Sequence, residues 1–201
     1  MTETELVVQR YSYADAAGYP DQVASGQIWP PGTAQKIAAW QVTTGPLNRG
    51  LLLRSQGQGA GSQDGAAGGP AGRGFPLLSE SVVVLDPIKA YTFPGDWAYL
   101  YELRVYTLHA GLGDRFSHLM RDVLPAREKY SPNVATWRTR SGSTDRVIHC
   151  WAYRDLAERD GLRPAINADP VWQRYVADVT PLIADMRSLL LAPLRLDSGS
   201  R

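Results

Sequence analysis

The chain has 201 residues, 44% of them hydrophobic, with 21 Lys+Arg against 20 Asp+Glu and a net charge of +1. That length fits one large domain or two small ones, and that composition builds a packed core rather than a disordered chain. A balanced charge gives no global attraction to nucleic acid or to an acidic membrane surface, so neither is expected as a partner. Only Lys36, Lys89 and Lys129 are lysines, an arginine bias that reads as the codon usage of a GC-rich bacterial genome. Cys150 is the single cysteine, which excludes a disulfide framework and a thiolate metal cluster. The opening MTETELVVQR has neither a basic nor an apolar signal region, and no apolar run reaches bilayer length. A soluble, cytoplasmic protein is expected.

Residues 5–13 alternate through Val7, Val8, Tyr11 and Tyr13 and predict a strand. Between 14 and 35 the pattern is weak and broken by prolines, so at most a short helix is expected. Ala38 to Thr44 and Arg49 to Arg54 read as strands around a Gly45-Pro46-Leu47-Asn48 turn. Residues 57–74 hold eight glycines and almost nothing that could build a core, which reads as a flexible loop without a phosphate-binding motif. Ser81 to Leu85 is a strand closed by Asp86-Pro87, and 88–99 links the halves. Tyr101 to Leu108 alternates as a strand. Leu112, Phe116, Leu119, Met120, Val123 and Leu124 recur at helical spacing, predicting an amphipathic helix over 112–129. Val134 to Arg140 and Arg146 to Tyr153 are strands around a Ser141-Gly142-Ser143-Thr144 turn. Leu156 to Ile166 predicts a helix, and Asp169-Pro170 starts another, which Pro181 kinks or divides. Ser188 to Leu191 is the last strand.

The chain repeats itself. Glu5-Leu6-Val7-Val8 returns ninety-seven positions on as Glu102-Leu103-Arg104-Val105. Ala38, Trp40, Gly45 and Arg49 return at the same offset as Ala135, Trp137, Gly142 and Arg146. A fixed offset across separated blocks predicts a duplicated unit. The second half reads β-α-β-β-α-β, the ferredoxin-like split motif. The first has the same strands with its first helix degraded and its second replaced by the glycine-rich loop. The expected architecture is therefore α+β: a degenerate ferredoxin-like unit over 1–97 and a complete one over 98–201.

Glu102 to Leu108, Arg127-Glu128-Lys129-Tyr130, Trp137 with Gly142, His149-Cys150-Trp151-Ala152-Tyr153 with Arg159, and Asp169-Pro170-Val171-Trp172 together resemble the NIPSNAP domain. The resemblance covers about 100–195 and is faint over 5–90. It implies a dimeric α/β-barrel, here intramolecular, in which two ferredoxin-like sheets face each other. A monomer or a homodimer is consistent with that. The wider barrel superfamily includes cofactor-free monooxygenases, polyketide cyclases, dehydratases, isomerases, haem enzymes and plain ligand binders, and fold alone does not choose among them.

Strand alternation sorts side chains onto two faces. Leu103, Val105, Ile148, Cys150 and Ala152 suit a face beneath helices. That leaves Glu102, Arg104, Tyr106, His149, Trp151 and Tyr153, with Trp137, to line the barrel interior as an aromatic pocket wall. His149, Arg104 and Tyr106 are the candidate catalytic groups, His149 as an accessible acid/base and Arg104 as the holder of a carboxylate, enolate or phenolate. Glu102, Trp137, Trp151 and Tyr153 are candidate substrate contacts. The competing reading is packing, because aromatic residues favour strands, Arg104 can pair with Glu102, and Arg159 braces the following helix. No metal-ligand spacing or G-x-S-x-G elbow occurs, and His118 is solvent-facing on its helix. No cofactor is expected, although haem through His149 is conceivable on this fold. Two classes stay open: a cofactor-independent enzyme (cyclase, isomerase, lyase or monooxygenase) of a secondary-metabolite pathway, and a non-catalytic NIPSNAP-like binding or scaffold protein.

Overall fold

The computed structural model describes residues 3–56, 75–142 and 145–196. The glycine-rich segment 57–74 and two residues of the second turn, Ser143 and Thr144, lie outside the described residues. Two compact units are present: Met1–Leu85 with Leu191–Arg201, and Asp86–Leu190. The divisions therefore fall after Leu85 and Leu190 rather than at 97/98.

The first unit contains β1 (Glu3–Tyr11), a helix α1 of six residues (Tyr19–Ala24), β2 (Thr33–Thr44), β3 (Arg49–Gln56) and β4 (Leu77–Lys89), which leaves the unit at Leu85. Its strand order is β4-β1-β3-β2, and the pairs β1–β4, β1–β3 and β2–β3 are antiparallel. The core gathers Val7, Tyr11, Tyr19, Val23, Ile28, Leu52 and Phe75. Tyr11 stacks on Tyr19 at 4.4 Å between ring centroids. β2 begins five residues before the predicted start. Its added residues include exposed Ala34 and Gln35, which give an apolar pattern nothing to register. β4 likewise runs beyond the predicted stop, since Pro87 lacks a donor but is compatible with extended chain.

The second unit contains β5 (Leu100–Leu108), α2 (Gly113–Arg127), β6 (Asn133–Thr139), β7 (Arg146–Tyr153), α3 (Leu156–Ala168), α4 (Pro170–Val179) and β8 (Ile183–Pro193). Its strand order, β8-β5-β7-β6, is the same fourth-first-third-second order found in the first unit. The predicted β-α-β-β-α-β sequence is present, with the second helix in two pieces. Asp169 makes that break, accepting hydrogen bonds from the Val171 and Trp172 amides at 2.8 and 3.4 Å as the N-cap of α4. Such a cap is worth about 1 kcal/mol. α4 ends at Val179, and Pro181 sits in a short 3-10 turn over Thr180–Leu182. β8 is longer than the predicted 188–191 because Asp185, Met186 and Arg187 are exposed and carry no apolar signal.

The repeat is carried in the pairing register. Val7 pairs with Leu52 in β1–β3, and Arg104 pairs with His149 in β5–β7. Trp40 pairs with Leu51 and Trp137 with Ile148. Adding ninety-seven to each member of a first-unit pair gives the second-unit pair. Gly45 and Gly142 both have positive φ, +122° and +71°, so the turn position that favours glycine also recurs. Among the described residues, no helix is long and apolar enough to cross a membrane.

Candidate functional site

The helices of the second unit cover the opposite face of its sheet from the one expected. The β5–β7 pairs Leu100–Tyr153, Glu102–Trp151, Arg104–His149 and Tyr106–Val147 alternate along one face. That face lies beneath the helices. Tyr106 meets Phe116 of α2 edge-on at 5.9 Å, and Tyr106, Trp151, Tyr153, Phe116, Met120 and Tyr175 share one core cluster. Leu103, Val105, Ile148, Cys150 and Ala152 take the other face. Trp137, paired with Ile148, is on that other face too, so it is separated by the sheet from His149. The expectation that small apolar residues sit under the helices is thus reversed. Aromatic rings fill the gap between sheet and helix better, and the polar groups among them find partners on α2, α3 and β8.

Glu102 is the first of these polar groups. Its buried carboxylate accepts from Arg159 Nε at 3.0 Å and Nη2 at 2.9 Å, from Arg163 Nη2 at 3.4 Å and from Ser188 Oγ at 2.8 Å. Burial by itself would raise its pKa. The bonds from Arg159 and Ser188 and the charges of Arg104 and Arg159 outweigh it and hold the group at about 2. Arg159 therefore braces α3 onto β5, as the sequence suggested.

His149 is 3% exposed. Its Nδ1 accepts from the Trp151 indole N–H at 2.7 Å, so the neutral ring carries its proton on Nε2. Burial, with the charges of Arg104 and Arg127 and against that of Glu102, pushes its pKa down to about 3. The accessible acid/base expected from sequence is instead a buried neutral donor. Tyr106 lies against it, 4.7 Å between centroids and near perpendicular.

Arg127 was not a candidate from sequence. It stands on the buried stripe of α2 in register with Phe116, Met120 and Val123, and a cation on an apolar stripe is the signal that marks it. Its guanidinium lies 4.2 Å from the Trp151 ring and 5.5 Å from Trp172, and it donates to Ser131 Oγ at 2.8 Å and Tyr153 Oη at 3.4 Å. A desolvated cation on an indole face is worth about 2 kcal/mol. Arg104 is only partly buried; it lies 5.5 Å from the Tyr106 ring and donates through Nη2 to Met186 Sδ at 2.9 Å.

Five buried side-chain polar atoms lack a hydrogen-bond partner among the described residues, and three belong to this layer: Arg104 Nε, Arg127 Nε and His149 Nε2. All three are donors. Two polar groups at equivalent places in the first unit, Gln9 and Arg54, are partnered. Gln9, at the place of Tyr106, donates to Ile28 O and Glu80 Oε2 and accepts from Tyr19 Oη. Arg54, at the place of Trp151, binds Glu5, the carbonyls of Pro30 and Pro31, and Thr33.

The remaining candidates are placed as follows. Cys150 is buried, and burial pushes its thiol pKa up, in keeping with an inert thiol. His118 is solvent-facing on α2 as expected. It borders a half-open depression of about 210 Å³ with Asp86, Ile88, Asp114 and Arg138, which does not reach His149.

The NIPSNAP family model matches residues 101–196. Human NipSnap homolog 2 is 31% identical over 96 residues, covering 48% of this chain and 34% of that protein. The chain thus spans about a third of the length of this curated relative. An uncharacterized NIPSNAP domain protein from Burkholderia xenovorans is 30% identical over 47% of this chain and 93% of its own, with a TM-score of 0.45. A monooxygenase-like protein from Lactobacillus acidophilus matches 99% of this chain and 97% of its own with a TM-score of 0.68 at 11% identity, a likeness of fold alone. Through residues 101–196, which form its NIPSNAP domain, the chain belongs to the NIPSNAP family.

Proposed function

We propose that the second unit binds a small anionic molecule in the layer between sheet and helices, and that the protein is a cofactor-independent enzyme of the cyclase, isomerase, lyase or monooxygenase type. The observation that carries this reading is the set of three buried, unpartnered N–H donors on Arg104, Arg127 and His149. A buried donor without an acceptor costs free energy, and clustering three of them is a standing invitation to an anion. Glu102 is engaged by Arg159, Arg163 and Ser188, so it does not neutralise them at contact distance.

The chemistry follows from protonation. His149, neutral and protonated on Nε2, acts as a hydrogen-bond donor to negative charge, with the two guanidiniums beside it. A carboxylate, phenolate or enolate fits that set. Donors fixed in a low-dielectric layer stabilise charge developing on a substrate oxygen, the logic of an oxyanion hole.

One observation favours the alternative, a non-catalytic binding or scaffold protein: Trp137, Trp151 and Tyr153 are almost wholly buried and packed. Calorimetric titration with acetate, benzoate and 4-nitrophenolate tests the anion site. Binding that weakens roughly ten- to a hundredfold in Arg104→Val and in His149→Leu, with both variants folded, supports the anion site. No binding of any of the three by the native chain, or equal affinity in all proteins, overturns it.

A further inference from the structure

Arg104 ends on an unusual acceptor. Its Nη2 donates to the thioether sulfur of Met186, one of the poorest acceptors a side chain offers. Among the described residues Arg104 makes no salt bridge and its Nε has no partner, while its guanidinium also bears on Tyr106. Met186 lies on β8 and is 50% exposed. Of the three methionines in the chain, Met120 is the contrast: it is 0% exposed inside the α2 core, where its sulfur accepts from Tyr175 Oη at 3.2 Å.

We propose that Met186 is a peroxide-responsive modification site whose sulfoxide takes Arg104 as a charge-assisted partner. Hydrogen peroxide transfers one oxygen atom to Sδ. A sulfur lone pair forms the S–O bond, the O–O bond breaks, and the second peroxide oxygen leaves as water with both protons. Sulfur is oxidised by two electrons and peroxide is reduced by two. The product carries a strongly polar oxygen in place of a weak acceptor, beside a guanidinium already aimed at it. Exposure selects Met186 over Met120, because the sulfur must meet the oxidant.

The consequence for the site rests on the anion-binding reading above. An Arg104 pinned to β8 by a sulfoxide is one cation fewer for the layer that holds Tyr106 and His149. Oxidation then releases the ligand. Reduction by methionine sulfoxide reductase restores binding.

The test exposes the whole chain to hydrogen peroxide and follows each methionine by peptide mass mapping. Met186 gains about 16 Da at least about ten times faster than Met120. Equal rates at the two residues overturn the proposal. Thermal unfolding then reads the clamp. Oxidation lowers the Tm of Arg104→Val more than that of the native protein, by about 2–4 °C, since only the native chain gains the new bond. Equal shifts overturn the clamp. Met186→Leu, which has no sulfur at this position, shows neither the oxidation nor the shift. Benzoate titration of oxidised and untreated native protein separates the two readings. If the Arg104-dependent shift is present but neither form binds benzoate, the modification site stands and the anion reading fails. If untreated protein binds benzoate and the oxidised form binds equally well, withdrawal of Arg104 is refuted while the anion site stands.

Discussion

The indole N–H of Trp151 donates to Nδ1 of His149 at 2.7 Å, between residues two apart on β7 and so on one face of the sheet. That one bond decides the tautomer of the histidine and turns a candidate base into a donor. It also ties two of the predicted site residues together structurally. The corresponding first-unit residues, Leu52 and Arg54, share no such bond, because Arg54 turns to Glu5 and the carbonyls of Pro30 and Pro31. Replacing His149 by the leucine of the first unit therefore carries a cost that the internal repeat alone does not reveal.

The His149→Leu variant is expected to fold, with stability lowered by about 1–3 kcal/mol for the unpaired buried indole donor. Arg104→Val copies Val7, gives up a thioether acceptor, the contact with the Tyr106 ring and a charge acting on Glu102, and is expected to cost less than about 1 kcal/mol. Denaturant unfolding of both measures this. Equal stabilities for the two variants would show that the Trp151–His149 bond contributes nothing.

Stability is expected to fall with acidification in two stages. The His149 pKa drops from 6.5 to about 3 on folding, so the unfolded chain takes up its proton first, and stability declines as pH falls from about 6.5 towards 3. Glu102 is lowered from 4.5 to about 2, so its contribution is complete above 4.5 and is lost as pH falls towards 2. Tm measured against pH should show His149→Leu flattening the upper stage, between 6.5 and 4.5, and Glu102→Gln flattening only the lower. A native profile that is level down to pH 4.5 contradicts the burial of a neutral histidine.

Removal of the Glu102 charge should be among the most damaging single changes in the second unit. Glu102→Gln leaves Arg159 with a weaker acceptor and the Arg104–Arg127 layer without its nearby negative charge; breaking a buried pair of this kind costs about 3–5 kcal/mol. The exposed Asp185–Arg187 pair is the control, and Asp185→Ala is expected to change stability by less than about 1 kcal/mol. Comparable losses in the two variants would mean that Glu102 is no better shielded from water than Asp185.

Gly50 lets the Tyr19 ring approach β3 closely. A Cβ there would lie 1.8 Å from Tyr19 Oη, whereas the equivalent second-unit position is Val147. Gly50→Ala should displace Tyr19 from Gln9 and destabilise the chain by about 1–3 kcal/mol. Retention of native stability and of the Tyr19 environment, read from near-ultraviolet circular dichroism, would contradict this.

Local signals were enough to establish the strands, the helices, their order and the duplication. Alternation and helical spacing are properties of a few consecutive residues, and a ninety-seven-residue offset is visible wherever both copies keep the same side chain. The cap at Asp169 and the break at Pro181 are equally local. Only the tertiary structure decided which face of the second sheet the helices cover. Period-two alternation separates two faces but does not rank them, and here both faces hold buried residues, so neither is flagged as outward. The face bearing Glu102, Arg104 and His149 looked too polar to lie beneath helices. It lies there because its partners arrive from far along the chain: Arg159 and Ser188 reach Glu102 from 57 and 86 residues away, and Tyr153 is met by Arg127 from 26. Burial of polar groups is decided by such distant partners, and a reading of neighbouring residues cannot count them.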